Sequence, residues 1–176
     1  MRVRRALLYL VAAAVAIIIG LGIGYLSFGG SHAPPKTAAL LLNPPKTLPA
    51  FSLENDGAAP FARTDLEGHW SLLYFGYTHC PDVCPTTMAD LNKMLGQLEN
   101  LPAAKQPRVY FISVDPKRDT PPLLKEYVHY FNSSFSGMTG AVDQLRVLTK
   151  PLGVAFSYEP KDQSGNYGVD HSAVVF

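Results

Sequence analysis

The sequence predicts an α/β domain with a parallel β-sheet, placed behind one N-terminal apolar helix. Strand-like and helix-like segments alternate along the domain, and this order is typical of βαβ units with right-handed crossovers. The strand-like segments are continuously apolar, which indicates that helices cover the sheet on both faces. The N-terminal helix is predicted by residues 6–28, which contain no charged side chain.

The charge-free segment of residues 6–28 predicts a membrane-spanning helix. Its 23 residues reach roughly 35 Å at about 1.5 Å per residue, and a bilayer core is about 30 Å thick. Arg2, Arg4 and Arg5 precede the segment, which predicts a cytoplasmic N-terminus and an exported remainder. A cleaved signal peptide ending near residues 31–33 is the alternative, but its apolar core would span only about 7–15 residues.

Composition divides the chain into a cytoplasmic stub with the anchor (1–28), a Pro-rich linker (29–47) and a domain (48–176). The linker contains four prolines and no amphipathic period, which predicts a semi-extended tether. The domain has 10 basic and 14 acidic side chains, a net charge of −4. Without a basic surface for phosphate backbones, it is not expected to bind nucleic acid.

Apolar patterns predict the elements of the domain. Continuous apolar runs typical of buried strands lie at Trp70–Gly76, Arg108–Val114, Val154–Tyr158 and Ala173–Phe176. Apolar residues at three- and four-residue steps predict helices over about 84–99, 121–131 and 141–150. Because carboxyl ends of parallel strands share one sheet edge, the turn 77–84 and the loop 115–122 are expected to meet there, where α/β sheets bind ligands.

Cys80 and Cys84 are the candidates for chemistry in this turn. They enclose three residues, and a loop so small removes little entropy from the unfolded chain, so a structural disulfide is a poor explanation. At a helix N-terminus both sulfurs can lie on one face, where backbone amides and the helix dipole favour thiolates. Two interpretations are equally open: a copper site, with Cu(I) on two thiolates or Cu(II) with an added imidazole, and a metal-free redox pair.

His171 is the best candidate for the added imidazole. It opens the last apolar run, and if that run pairs in the central sheet, its start can face the cysteine turn. His79 adjoins Cys80, but neighbouring side chains of an extended segment point in opposite directions. His79 is therefore a less favoured candidate for the imidazole ligand than His171. The other histidines are expected at the surface: His32, His69 and His129.

Four further side chains near the turn have two interpretations each. Met88 can lend a thioether to copper, but its place in a helical apolar stripe favours the core. Asp82 either tunes the thiolates or caps the helix. Lys117 and Arg118 either meet an acidic partner surface or are simply solvated.

Four motifs resemble the Sco/SenC copper metallochaperones, in an order that covers essentially all of residues 48–176. They are YFGYTHCPDVCP at 74–85, ISVDPKRDTP at 112–121, GMTG at 137–140 and DHSA at 170–173. The resemblance implies a thioredoxin-like sheet with flanking helices, tethered by one transmembrane helix. It also implies that copper is held by two cysteines and a distal histidine, which fall on Cys80, Cys84 and His171.

The implied task is assembly of the copper A centre in cytochrome c oxidase subunit II, by copper transfer, by reduction of that subunit's cysteines, or both. The domain would face the periplasm in bacteria or the intermembrane space in mitochondria, from the inner membrane. Another copper chaperone or a thiol reductant are further implied partners. Family members continue past the DHSA strand with a turn, a strand and a helix, so a chain ending at Phe176 is expected to be C-terminally truncated.

The sequence thus favours a membrane-anchored copper chaperone rather than an enzyme. One alternative is an exported thiol–disulfide reductase that uses Cys80 and Cys84 as a redox pair. Three residues between the cysteines, where thioredoxin-type reductases usually have two, disfavour it. A copper or redox sensor that signals through a partner is the other alternative, but the sequence indicates no partner surface for it.

Overall fold

The computed structural model describes residues 2–28 and 39–176. The first ten residues of the predicted linker, 29–38, lie outside the described residues, and His32 lies outside them too. The remaining linker residues form no helix or strand.

The chain divides into two units, Met1–Asn43 and Pro44–Phe176. Helix α1 of the first unit runs from Arg2 to Phe28, with side chains described at residues 4–5 and 11–22. Over the described part of the chain, no helix combines the length and the apolar character needed to cross a membrane.

The second unit is built on a five-stranded sheet, which confirms the predicted α/β class. The sheet contains β1 (Ser52–Asn55), β2 (Pro60–Ala62), β3 (Ser71–Gly76), β4 (Arg108–Ser113) and β5 (Ser136–Thr139) in the spatial order β2-β1-β5-β4-β3. Strands β3, β4 and β5 are parallel, and β1 is antiparallel to both neighbours. The helices are α2 (Val83–Gln97), α3 (Pro121–Phe131) and α4 (Val142–Leu152). A separate two-stranded sheet follows, made of β6 (Phe156–Tyr158) and β7 (Val169–His171).

Alternating side chains of β3 and β4 build the core on both faces of the large sheet. Phe75 and Ile112 pack with residues of α4 on one face. Tyr74 and Phe111 pack with Met88 of α2 on the other face. Because successive side chains of a strand point to opposite faces, a continuously apolar strand needs cover on both sides, and here it has that cover.

The carboxyl ends of β3 and β4 lie side by side, as predicted. Gly76 is paired with Ser113 in the parallel register, and the amide of Val114 donates to the carbonyl of Gly76 at 2.8 Å. The cysteine turn after β3 and the loop after β4 therefore emerge at the same edge of the sheet.

The β1–β2 hairpin and β5 are strands that the sequence patterns did not predict. β1 and β2 have only four and three residues, too few for an alternating pattern to stand out. Their turn is fixed locally, since the Asn55 side-chain oxygen accepts from the amides of Gly57 at 2.9 Å and Ala59 at 3.0 Å. β5 is also four residues long, and it includes part of the GMTG motif.

Two predicted strand assignments are wrong in part. Trp70 lies before β3 and is 75% exposed, so it is not part of the core on either face of the sheet. The run Ala173–Phe176 forms only an isolated bridge, in which Val175 pairs with Tyr74. His171 belongs instead to β7, because this segment pairs with β6 before the chain reaches the edge of β3.

Candidate metal centre

The end of β3 and the start of α2 form the cysteine turn. Cys80 lies in the turn, where its amide donates to the carbonyl of Tyr77 at 3.2 Å. Cys84 lies in the first turn of α2 and is fully buried, whereas Cys80 is half-buried. Asp82 precedes the helix as its N-cap residue, but its side chain makes no capping hydrogen bond. The predicted role of Asp82 as a helix cap is therefore not observed.

His171 reaches the cysteine turn from the far end of the chain. It is the last residue of β7, where it pairs with Phe156 of β6. Its Nε2 atom lies 3.4 Å from the Sγ atom of Cys84. The ligand atoms of Cys80, Cys84 and His171 all lie within 4.8 Å of one another. The structure therefore brings the three predicted site residues together.

His79 lies apart from this cluster although it adjoins Cys80. Its side chain is 51% exposed and its Nδ1 atom is 3.8 Å from an Asp119 carboxylate oxygen. The same nitrogen is 3.0 Å from the Thr78 hydroxyl. The imidazole is thus engaged with the loop after β4 rather than with the sulfurs.

His129 and Met88 occupy the places that their patterns indicate, whereas His69 does not. His129 is exposed and Met88 is a fully buried core residue. His69 was expected to be solvated but is half-buried, and its Nε2 atom lies 3.1 Å from the Tyr110 hydroxyl. The aromatic partner is distant in sequence, so no local pattern indicates this contact.

Burial dominates the electrostatics of the site. Burial raises the pKa of the Cys84 thiol to about 12, and hydrogen bonding to Tyr74 opposes the rise only in part. In the metal-free protein, burial therefore outweighs the effect by which backbone amides near the helix terminus favour a Cys84 thiolate. Burial also lowers the pKa of His171, which keeps its imidazole neutral and able to donate a lone pair at neutral pH. Metal binding at Cys84 has to release a proton.

Aromatic rings and a close-packed glycine enclose the three donors. Tyr77 and Tyr74 meet the His171 ring edge-on, with ring centroids 5.8 and 6.5 Å away. A Cβ atom added to Gly76 would lie 2.7 Å from the Cys84 sulfur. The backbone of β3 therefore approaches the sulfur as closely as only glycine permits.

The loop after β4 contributes two buried carboxylates, Asp115 and Asp119, which are further functional residues beside the predicted ligands. Asp119 accepts hydrogen bonds from the Thr78 amide at 2.9 Å, the Thr78 hydroxyl at 2.6 Å and the Ser113 hydroxyl at 2.6 Å. The signal that was available is the position of both acidic residues just beyond a buried strand, at the edge where ligands bind.

Lys117 and Arg118 differ although they are neighbours. Lys117 is exposed, in agreement with the solvated interpretation. Arg118 is only partly exposed, because its guanidinium donates to the Asp115 carboxylate and to the carbonyl of Tyr167. For Arg118 the expectation of a solvated or partner-facing cation is wrong, since its charge is neutralised within the fold.

The arrangement supports two kinds of chemistry. Two sulfurs and one imidazole form a soft donor set that suits Cu(I) through the thiolates and Cu(II) through all three groups. Both cysteines are free, so the same pair can also be oxidised to a disulfide. A four-cysteine zinc or iron–sulfur site is not available, because the chain has only two cysteines.

The fold and the donor cluster define a thioredoxin-like domain with a candidate Cys–Cys–His metal centre. The chain belongs to the SCO1/SenC family, whose family model matches residues 41–176. It is 42% identical over 129 residues to Protein SCO2, mitochondrial, of Saccharomyces cerevisiae, covering 72% of this chain and 42% of that protein. The chain spans 41–64% of the length of the first four curated relatives it matches.

Solved structures of similar proteins include copper-bound ones. Yeast Sco1 with copper bound is 36% identical, has a TM-score of 0.68, and aligns with 74% of this chain and 72% of its own. Arabidopsis thaliana ScoI with copper bound is 34% identical, has a TM-score of 0.66, and aligns with 73% of this chain and 78% of its own.

Proposed function

We propose that this protein is a membrane-anchored copper chaperone that holds copper on Cys80, Cys84 and His171. The convergence of their three donor atoms within 4.8 Å carries the proposal. Two soft thiolates and a neutral imidazole suit copper in both oxidation states. The copper in the yeast and Arabidopsis relatives supports the choice of this metal.

The proposed task is assembly of the copper A centre in cytochrome c oxidase subunit II, as the family resemblance implies. Copper is cargo in this role, so it has to enter and leave. The half-buried Cys80 offers the more accessible sulfur, whereas Cys84 is fully buried. Another copper chaperone would supply the metal, and a thiol reductant would keep both sulfurs reduced.

The proposed location is the inner membrane, with residues 1–28 as stub and anchor, 29–47 as linker and 48–176 as the copper-binding domain. Arg2, Arg4 and Arg5 support a cytoplasmic N-terminus. The domain would then lie in the periplasm, or in the intermembrane space of a mitochondrion.

The test is copper analysis of the 1–176 chain, purified in detergent under reducing conditions. One Cu(I) per chain is expected, and Cys80→Ser should abolish binding because a hydroxyl is a hard and poorly ionised ligand. The copper-loaded chain should then transfer its metal to the reduced copper-binding domain of subunit II. Equal copper uptake by the wild type and Cys80→Ser would refute the proposal.

A second candidate, thiol–disulfide reduction, is favoured by the two free cysteines and the unequal exposure of their sulfurs. The Cys80 thiolate would attack a client disulfide and release one client thiolate. The Cys84 thiolate would then displace the second, leaving a Cys80–Cys84 disulfide and a client reduced by two electrons. An external thiol reductant would restore the dithiol. Copper-independent reduction of oxidised subunit II, lost in Cys84→Ser, would favour this function.

A further inference from the structure

Arg118 lies between the two segments that carry the candidate ligands. Its guanidinium carbon is 3.8 Å from the ring centroid of Tyr167 and 5.6 Å from that of Tyr77. Tyr77 comes three residues before Cys80, and Tyr167 comes four residues before His171. One side chain therefore contacts both the approach to the cysteine turn and the approach to the histidine.

On the histidine side, Arg118, Asp115 and Tyr167 are each hydrogen-bonded to the other two. Its Nη1 atom donates to the Tyr167 carbonyl at 2.9 Å, and its Nε atom donates to an Asp115 carboxylate oxygen. The Tyr167 hydroxyl donates to the other oxygen of Asp115 at 2.8 Å. Because Asp115 is fully buried, these charge-assisted bonds are strong and fix the orientation of the groups that make them.

On the cysteine side, the next residue of the same loop makes a corresponding set of contacts. Asp119 binds both the amide and the hydroxyl of Thr78, two residues before Cys80. The five-residue loop Asp115–Asp119 is thus bonded at one end to the cysteine approach and through Arg118 to the histidine hairpin.

The hairpin that carries His171 has particular need of such contacts. Its two strands pair only with each other in regular register, forming a sheet separate from the large one. Phe156 and Val169 attach it to the core by apolar contact, which is not directional. Directional contacts come from the Tyr158 hydroxyl, which donates to the Val114 carbonyl at 2.7 Å, and from Arg118. Beyond the hairpin, five residues after His171, Phe176 and Leu73 of β3 exchange two backbone hydrogen bonds.

We propose that the Asp115–Asp119 loop sets the position of His171 relative to the dithiol, with Arg118 as the positioning residue for the hairpin. This inference rests on the proposed function, because it concerns the same copper ligands. Cu(I) is satisfied by two thiolates, whereas Cu(II) gains from the imidazole. Loss of the Arg118 contacts should therefore weaken Cu(II) binding and leave Cu(I) binding largely intact.

The test compares three variants of the reduced 1–176 chain in detergent. Arg118→Ala removes all the contacts of this side chain but leaves Asp115 buried with fewer donors, so it can fail to fold. Tyr167→Leu removes the stacked ring and its hydroxyl while the Asp115–Arg118 pair and the backbone carbonyl remain. Lys117→Ala is the matched control, since Lys117 is exposed and adjacent.

Four readouts separate positioning from folding. Tyr167→Leu should keep one Cu(I) per chain, lose the thiolate-to-Cu(II) absorption, and retain Cu(II) about 10–100-fold less tightly, the range for loss of groups that orient metal ligands. In the copper-free protein, amides of residues 167–171 should exchange with solvent at least about tenfold faster than in Lys117→Ala, because local opening of the hairpin becomes easier. A folded Arg118→Ala should behave in the same way.

The outcomes distinguish this inference from the proposed function. If the wild type binds copper but Tyr167→Leu matches Lys117→Ala in Cu(II) retention and amide exchange, the stacking of Arg118 on the Tyr167 ring does not position the hairpin. If a folded Arg118→Ala also matches Lys117→Ala, Arg118 has no positioning role. If the wild type binds no copper, the proposed function fails, and the amide exchange of the copper-free variants still decides whether the loop holds the hairpin.

Discussion

The Nε2 atom of His171 lies 3.4 Å from the Sγ atom of Cys84, although 87 residues separate them in the chain. One atom belongs to the end of a two-stranded hairpin and the other to the first turn of a helix behind the large sheet. The donor set therefore exists only when both segments are folded against each other. Metal binding should be coupled to folding for that reason.

This contact predicts different responses of the two histidine variants. His171→Ala should spare most Cu(I) binding, remove the thiolate-to-Cu(II) absorption and weaken Cu(II) retention by about 10–100-fold. His79→Ala should change neither, since His79 contacts Asp119 and Thr78 rather than the sulfurs. Copper stoichiometry and visible absorption of both variants provide the measurement. Loss of the Cu(II) band in His79→Ala, with the band retained in His171→Ala, would contradict the assignment.

The elements of this fold that could be predicted from the sequence are those with a recognisable apolar pattern over a short segment. β3 and β4 are long apolar runs, and α2 has its apolar residues at helical steps, so a short window of residues identifies each. The β1–β2 hairpin has strands of four and three residues, which give no such window. The hairpin depends instead on pairing with β5 and on the Asn55 turn.

In the candidate metal centre, too, some features follow from the local sequence and others depend on contacts between distant segments. The cysteine pair follows from its spacing, and the distal His171 from its place before an apolar run and from the family motif. The surroundings of these ligands do not follow, because they depend on contacts between distant segments. Arg118 looks solvated in a polar loop, yet its partner Tyr167 is 49 residues away, and no local pattern relates the two.

A second prediction concerns the glycine behind Cys84. Gly76→Ala would place a Cβ atom 2.7 Å from the Cys84 sulfur and 2.9 Å from the Phe111 ring. Because the core is close-packed, the variant should lose about 1–3 kcal/mol of unfolding free energy and bind copper less tightly. Gly96→Ala is the control, since a Cβ atom added to Gly96 in α2 would come no closer than 4.0 Å to a side chain, at Glu99.

Gly96→Ala should instead stabilise the protein slightly, by about 0.5–1 kcal/mol, because alanine favours a helix over glycine. Urea unfolding of both variants and a copper titration decide the matter. Wild-type stability and copper affinity in Gly76→Ala would mean that the sulfur can move away from β3 without consequence for the site.

A third prediction concerns topology. A charge-free segment preceded by Arg2, Arg4 and Arg5 should orient the chain with its N-terminus in the cytoplasm. Alkaline phosphatase fused after residue 47 should therefore be active in a bacterial host, and a cytoplasmic reporter fused there should be inactive. Replacement of the three arginines by glutamate is the control and should weaken this orientation. Activity of the cytoplasmic reporter would overturn the proposed compartment together with the oxidase-assembly role.

The last prediction concerns pH and the buried thiol. Burial raises the pKa of Cys84 to about 12 in the folded, metal-free protein, whereas the pKa of an unfolded thiol is about 8.5. Above about pH 8.5 the unfolded state loses this proton while the folded state keeps it, so stability falls as pH rises, by up to about 1.4 kcal/mol per pH unit. Below the pKa of the unfolded thiol, the stabilising contribution of the protonated Cys84 is fully present.

Cys84→Ala removes the group that titrates and should remove this slope, although the cavity it leaves lowers stability at every pH. Between pH 8 and 10, the stability advantage of the reduced, copper-free wild type over Cys84→Ala should shrink by about 2 kcal/mol. Urea unfolding followed by circular dichroism at the two pH values measures the change. Equal slopes would show that the thiol ionises as readily in the folded state as in the unfolded one, in which case proton release would not oppose copper binding at Cys84.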